Sequence, residues 1–261
     1  MSNFMMLVHN ENMKIYRRMR TWVMLGILAF MSIIIPYLFS GNGGGETTSF
    51  WEGAMLSVTF VSFLNTIFSV VIAADSVAGE FSWGTIKLLL IRPWTRSKIL
   101  FSKYLSVLLF SILSTLTMIL LALGTSYLLL SSTADVGMIP ENMTPASYAV
   151  ISWVFEYVDL FITIAIAFMV STVFRSGALA IGLSLFILFT QGIFGMIFNP
   201  ERYGWAKYIL FTNMDLSQYL YVYGDGQGGM SLGFSMMILA VYYVLFMGIS
   251  WYVFNKRDVA A

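Results

Sequence analysis

The sequence predicts an all-α membrane protein that crosses the bilayer six times, and three observations carry that prediction. Only 10% of the 261 residues are charged, against about 25% in soluble domains. Apolar types make up 59% of the chain and its mean hydropathy is +0.82. A soluble protein this poor in charge has too little polar surface to face water, so lipid must take its place. Finally, six apolar runs each reach the roughly 20 residues that a spanning helix needs. Helices of that length consume most of the chain, and residues 1–261 read as a single transmembrane domain.

The opening segment, residues 3–21, mixes Met13, Tyr16 and Met19 at helical spacing with Lys14, Arg17, Arg18 and Arg20. It reads as a helix lying in the membrane interface, or as a plain basic flank of the first span. The six spans lie at about 22–39, 54–74, 104–130, 148–170, 177–198 and 231–254. The third is the longest, and as a helix it exceeds the roughly 30 Å hydrocarbon core, so it is expected to tilt or protrude. Ten-residue segments of alternating polarity are absent, which argues against an outer-membrane barrel.

Lys and Arg give the orientation. With the N-terminus inside, the inner segments hold Lys14, Arg17, Arg18, Arg20, Lys87, Arg92, Arg96, Lys98, Lys103, Arg175, Lys256 and Arg257, twelve of the fourteen basic residues. Only Arg202 and Lys207 fall outside. The positive-inside rule therefore places both termini in the cytoplasm, and a multi-pass protein of the cell (inner or plasma) membrane is expected.

Composition also excludes several classes of function. With no Cys there is no disulfide framework and no thiolate metal site. His9, the only His, reads as a solvated residue near a terminus rather than a ligand. A net charge of +1 gives no electrostatic support for nucleic-acid binding. The glycine-rich stretch Gly41-Asn42-Gly43-Gly44-Gly45-Glu46-Thr47-Thr48 is not a phosphate loop, because Glu46 stands near the place where the chemistry needs Lys. It reads as an outer turn. Asn142-Met143-Thr144 is an outer sequon, meaningful only in a glycosylating host. No pair of groups suited to acid–base or nucleophilic catalysis appears, so the chain is not expected to be an enzyme.

Within the fourth span, Glu156 and Asp159 stand three residues apart and share one helix face. Carboxylates in a membrane are costly and mark a pathway or a polar partner. The pair either lines a hydrophilic or cation-binding path, or serves structure, with Glu156 reaching toward water and Asp159 bonded to a neighbouring helix. Asn65 and Gln191 read as isolated polar residues.

The inner loop 75–98 is the most informative segment. The second span ends at residues 75–79, where Gly79 permits a sharp turn. Residues 81–91 form an apolar helix too short to span, so it lies at the interface. Pro93 stops it and Thr95 caps the next helix. Arg92, Arg96 and Lys98 hold this end at the anionic membrane face. The order Gly79-Glu80, Gly84-Thr85, a hydrophobic run, Arg92-Pro93 and Thr95-Arg96 resembles the signature loop of type-2 ATP-binding-cassette (ABC) transporter permeases, the bacterial exporter class. The basic N-terminal segment resembles that family's connecting helix, and residues 199–229 resemble its short outer re-entrant helices.

The resemblance implies a permease subunit of an ATP-driven exporter. Its partners would be the lipid bilayer, a second permease copy or a related permease, and two copies of a separate ABC ATPase. ATP and Mg would bind only on that ATPase, and this chain would carry no cofactor, no metal and no nucleic acid. Residues 81–91 would be the coupling helix, with Glu80, Phe81, Trp83, Gly84, Thr85, Ile86, Lys87, Arg92, Pro93 and Arg96 in contact with the ATPase. Glu156 and Asp159 would be candidates for the translocation path. The alternative is a small, partner-free membrane scaffold or ion channel.

Overall fold

A computed structural model describes residues 2–40, 49–85, 94–130, 139–140, 143–221 and 229–256. Among these the chain is helical throughout: α1 (Ser2–Tyr16), α2 (Met19–Phe39), α3 (Phe50–Ser82), α4 (Arg96–Leu129), α5 (Pro145–Val173), α6 (Gly177–Ile197), a short 3-10 turn (Ala206–Tyr208), α7 (Leu210–Met214), α8 (Gln218–Tyr221) and α9 (Leu232–Lys256). Six of them, α2 to α6 and α9, are long and apolar enough to cross a membrane. The protein is a polytopic, multi-pass membrane protein.

Helix boundaries follow local chemistry. Thr95 accepts a hydrogen bond from the Lys98 N–H at 3.4 Å and starts α4, as its position in the sequence predicts. Thr144 caps α5 in the same way, with Pro145 in the first turn where its missing N–H costs nothing. Ser176 caps α6.

The N-terminal segment departs from the expectation of one helix over 3–21. The helix stops at Tyr16, Arg18 is extended (φ −82, ψ 126), and α2 starts at Met19. The bend is held from α2: Thr21 Oγ1 donates to the Ile15 carbonyl at 2.6 Å, and Trp22 Nε1 donates to the Tyr16 carbonyl at 2.8 Å. Two carbonyls left over at the end of α1 are thereby satisfied.

Two spans are longer than the sequence suggests. At 1.5 Å per residue, the 33 residues of α3 rise about 50 Å and the 34 of α4 about 51 Å, so both project well beyond a hydrocarbon core of about 30 Å. α3 is the hub, packing against α2, α4, α5 and α6, while α9 packs on α5, α4 and α7. The main core gathers Val70, Val77, Leu100, Val107, Phe110, Ile164 and Phe168 from α3, α4 and α5. Large apolar side chains on α2, α6 and α9, such as Phe30, Phe186 and Val244, face outward where lipid would cover them.

Candidate functional site

The ends of α3 and α5, the starts of α4 and α6, and the whole of α1 meet at one end of the bundle, the basic end. α1 lies against α4, with Leu7 and Val8 buried and the Ser106 hydroxyl donating to the Val8 carbonyl at 3.2 Å. Glu11 is one turn further along the same buried face.

Four charges close a ring there. Lys103 of α4 sits 2.8 Å from Glu11 Oε2 and 3.1 Å from Glu80 Oε1; Lys14 of α1 sits 2.8 Å from Glu11 Oε1 and 2.7 Å from Glu80 Oε1. The Lys103 side chain is only 2% exposed, whereas that of Lys14 is 44% exposed. Next to the ring, Arg18 and Arg20 both pair with the buried Asp75 of α3. Together these groups line a cleft of about 460 Å³. Burial pushes the Glu11 carboxyl up, but Lys103 and Lys14 outweigh it and hold the group below its ordinary range. Lys14 is shifted upward on balance, its burial outweighed by Glu11 and Glu80.

The ring fixes the last turns of α3, and the opposite side of the same turns is fixed too. The Ser171 hydroxyl of α5 accepts hydrogen bonds from the Val77 and Ala78 N–H groups at 3.1 and 3.0 Å. The Gly177 N–H donates to Ser82 Oγ at 2.8 Å. A Cβ on Gly79 would stand 2.5 Å from Asp75 Oδ1, and one on Gly177 would stand 3.3 Å from the same oxygen. These two glycines let Asp75 fold back over α3 and let α6 approach.

This geometry corrects two expectations about loop 75–98. Gly79 does not turn the chain: α3 runs through it to Ser82, because the lack of a side chain is used for close packing. The break comes at Gly84, whose φ of +69 is a left-handed conformation that suits glycine. Glu80 therefore does not start a helix; it lies in the last turn of α3. A negative charge there is disfavoured by the helix dipole by about 0.3–1 kcal/mol, and Lys14 and Lys103 offset it. The Glu80 carboxylate also accepts a hydrogen bond from the Thr85 hydroxyl, so it points into the protein rather than toward an outside surface. Phe81 packs against the main core, while Trp83 is 77% exposed. Arg96 donates to the Asn255 carbonyl at 2.9 Å, and Ser97 Oγ accepts from Trp251 Nε1, tying the start of α4 to the end of α9. Ile86, Lys87, Arg92, Pro93 and most of the expected 81–91 helix lie outside the described residues. His9 is exposed.

Glu156 and Asp159 share a helix but not their partners. Glu156 Oε1 accepts from Thr59 Oγ1 of α3 at 3.2 Å. Asp159 is bonded by the Gln191 side chain of α6 and lies near Asp215, which follows α7. Asn65 and Gln191, isolated in the sequence, are not isolated in space: the Asn65 amide donates to Thr115 Oγ1 at 2.9 Å. The sequence analysis missed Glu11, Asp75 and Lys103 as a joined set. Their signal was present in part, as charges placed on otherwise apolar helical faces.

Comparison with known proteins gives relatives that align with this chain over nearly the whole of both partners. "Uncharacterized protein YhcI" of Bacillus subtilis (strain 168) is 33% identical over an alignment 319 positions long, gaps included, covering 97% of this chain and 99% of the relative. "Uncharacterized membrane protein YdbK" of the same organism is 29% identical over 253 residues, covering 95% and 99%. A family profile described as "Protein of unknown function (DUF2705)" matches residues 19–260, and the chain belongs to that family.

Proposed function

We propose that the chain is the membrane-spanning permease subunit of an ATP-driven ABC exporter, working with a separate ATPase in the cell membrane with both termini in the cytoplasm. The observation that carries this reading is the ordered pattern of loop 75–98, from Gly79-Glu80 to Thr95-Arg96. Two features support it. The loop leaves α3 from turns gripped on both sides, by the charge ring and by Ser171, and a motion imposed on the loop needs such a stiff lever to reach the spans. The exposed Trp83 at the end of that lever offers an apolar contact for a partner. On this reading Glu80 serves as the anchor of the lever rather than as a docking group. The basic end faces the cytoplasm, where twelve of the fourteen Lys and Arg residues are expected.

The test starts from the neighbouring reading frames, where one with a P-loop and an LSGGQ-like signature is expected, and co-expresses its product with this chain. Affinity purification of the chain is expected to retain the ATPase in stable stoichiometry, with ATP turnover in liposomes that depends on both proteins. Trp83→Asp is expected to lower retention while leaving the spans folded. ATP hydrolysis by the chain alone, or failure to retain any ATPase from the native membrane, refutes the reading.

A further inference from the structure

A second cleft, of about 260 Å³, lies between α3, α4 and α5, and its walls include Ser62, Asn65, Thr115, Trp153, Glu156 and Tyr157. Asn65 stands near the middle of the 33 residues of α3, and Glu156 in the middle third of the 29 of α5. The cleft is therefore deep within the spanning part of the bundle.

The polar atoms around it do not balance among themselves. Asn65 is 1% exposed; its amide N–H donates to Thr115, but its Oδ1 has no partner among the described residues. Glu156 spends Oε1 on Thr59, and the Ser62 hydroxyl lies near enough to bond the carboxylate as well, but Oε2 is buried and makes no hydrogen bond of regular geometry among the described residues. Trp153 is 9% exposed and its Nε1 donor has no acceptor among the described residues. Unpaired polar atoms in such a place are expensive. The described lining holds no Lys, Arg or His, so only the neutral hydroxyls of Thr59 and Ser62 face the Glu156 carboxylate in a medium of low dielectric.

We propose that this cleft binds one small alkali-metal cation through Glu156 Oε2 and Asn65 Oδ1. The donor set is carboxylate, amide carbonyl and hydroxyl oxygen, which suits hard cations. Charge selects a monovalent ion: one carboxylate neutralises one positive charge, and a divalent ion would leave a net charge buried. Size excludes large organic cations, because the free space between the walls is that of an ion and its water rather than of an organic molecule. A water retained by the ion accepts from Trp153 Nε1 and so pairs the third orphan atom. Asp159 is not among the residues that line the cleft: the Gln191 side chain bonds it, and Asp215 and Glu156 are like-charged neighbours rather than partners. The ion site needs no ATPase and stands or falls apart from the exporter reading.

Binding is measured on the purified full chain in detergent, with radioactive sodium and with radioactive rubidium as a stand-in for potassium, against choline at constant ionic strength. Saturable, stoichiometric binding of one or both ions is expected, displaced by acid as Glu156 takes up a proton. Glu156→Gln is expected to abolish it. Asn65→Asp, which adds a second carboxylate with almost no change of shape, is expected to shift preference from the monovalent ion to calcium. Three results overturn the site: neither ion binding the wild-type chain; binding unchanged in Glu156→Gln; or an Asn65→Asp chain with unchanged ion preference. Stabilisation of the wild-type chain by acid alone, with no bound ion, would assign the cleft to a proton and overturn it as well.

Discussion

Replacing Lys103 with Met tests whether the charge ring holds the basic end together. Met keeps most of the unbranched stem and removes the ammonium. Glu11 Oε2 at 2.8 Å and Glu80 Oε1 at 3.1 Å then lose their most buried partner. Removing one member of a buried ion pair costs about 3–5 kcal/mol, because a charge is left buried and uncompensated. Lys14 still touches both carboxylates at 2.7–2.8 Å, which places the expected cost of Lys103→Met at the lower end, about 3 kcal/mol. Lys14→Met removes a cation that is 44% exposed, and for such a pair the cost is about 1 kcal/mol or less. The assay is reversible unfolding in mixed micelles titrated with a denaturing detergent, comparing the two variants with wild type. Adding Glu80→Gln to Lys103→Met is expected to recover part of the loss, since it removes an orphaned charge. Equal costs for Lys103→Met and Lys14→Met, or no recovery in the double variant, would refute the view that burial at Lys103 makes the ring matter.

The folded-state pKa of Glu11 lies below its ordinary value of 4.5, so its contribution is fully present above that value and is lost as pH falls through the depressed one; limited proteolysis of α1 is expected to accelerate in that acid window. Lys14, raised above 10.5, contributes below that value and loses its contribution as pH rises through the raised one, so α1 is expected to stay protected across the neutral range and to loosen in strong alkali. Gly79→Val is expected to destabilise by about 1–3 kcal/mol through overpacking against Asp75, whereas Gly84→Ala, which has open space around it but a φ of +69, is expected to cost about 1–2 kcal/mol; thermal unfolding of both variants separates the two effects. In the chain, which has no native Cys, Arg202→Cys is expected to react with an impermeant thiol reagent in intact cells and Trp83→Cys only after permeabilisation, and the reverse pattern would invert the topology.

The six spans were legible in the sequence because a run of apolar residues needs no tertiary partner to be recognised. Their ends were not, and α3 shows why. Asp75 and Glu80 look like the polar end of a span when read along the chain. In three dimensions they are matched by Arg18, Arg20, Lys14 and Lys103 from other segments, so the helix continues past them. Gly79 misled for a similar reason: the sequence shows a missing side chain but not whether it serves a turn or a close approach. Glu156 and Asp159 were visible as costly carboxylates on one face. Which neighbour each one meets depended on the arrangement of α3, α6 and α7 around α5, and no local pattern encodes that.

The charge ring also imposes an order on biogenesis. Glu11 and Lys103 are 92 positions apart, and at synthesis rates of about 5–20 residues per second the second emerges some 5–20 s after the first. Throughout that interval α1 has been made with Lys14 already beside Glu11, while Lys103, the buried cation of the ring, has not. α1 cannot take its final place until the base of α4 has been delivered to the membrane. The first helix to be made is thus among the later ones to settle, and it remains accessible to insertion factors and proteases while two spans, α2 and α3, are being laid down.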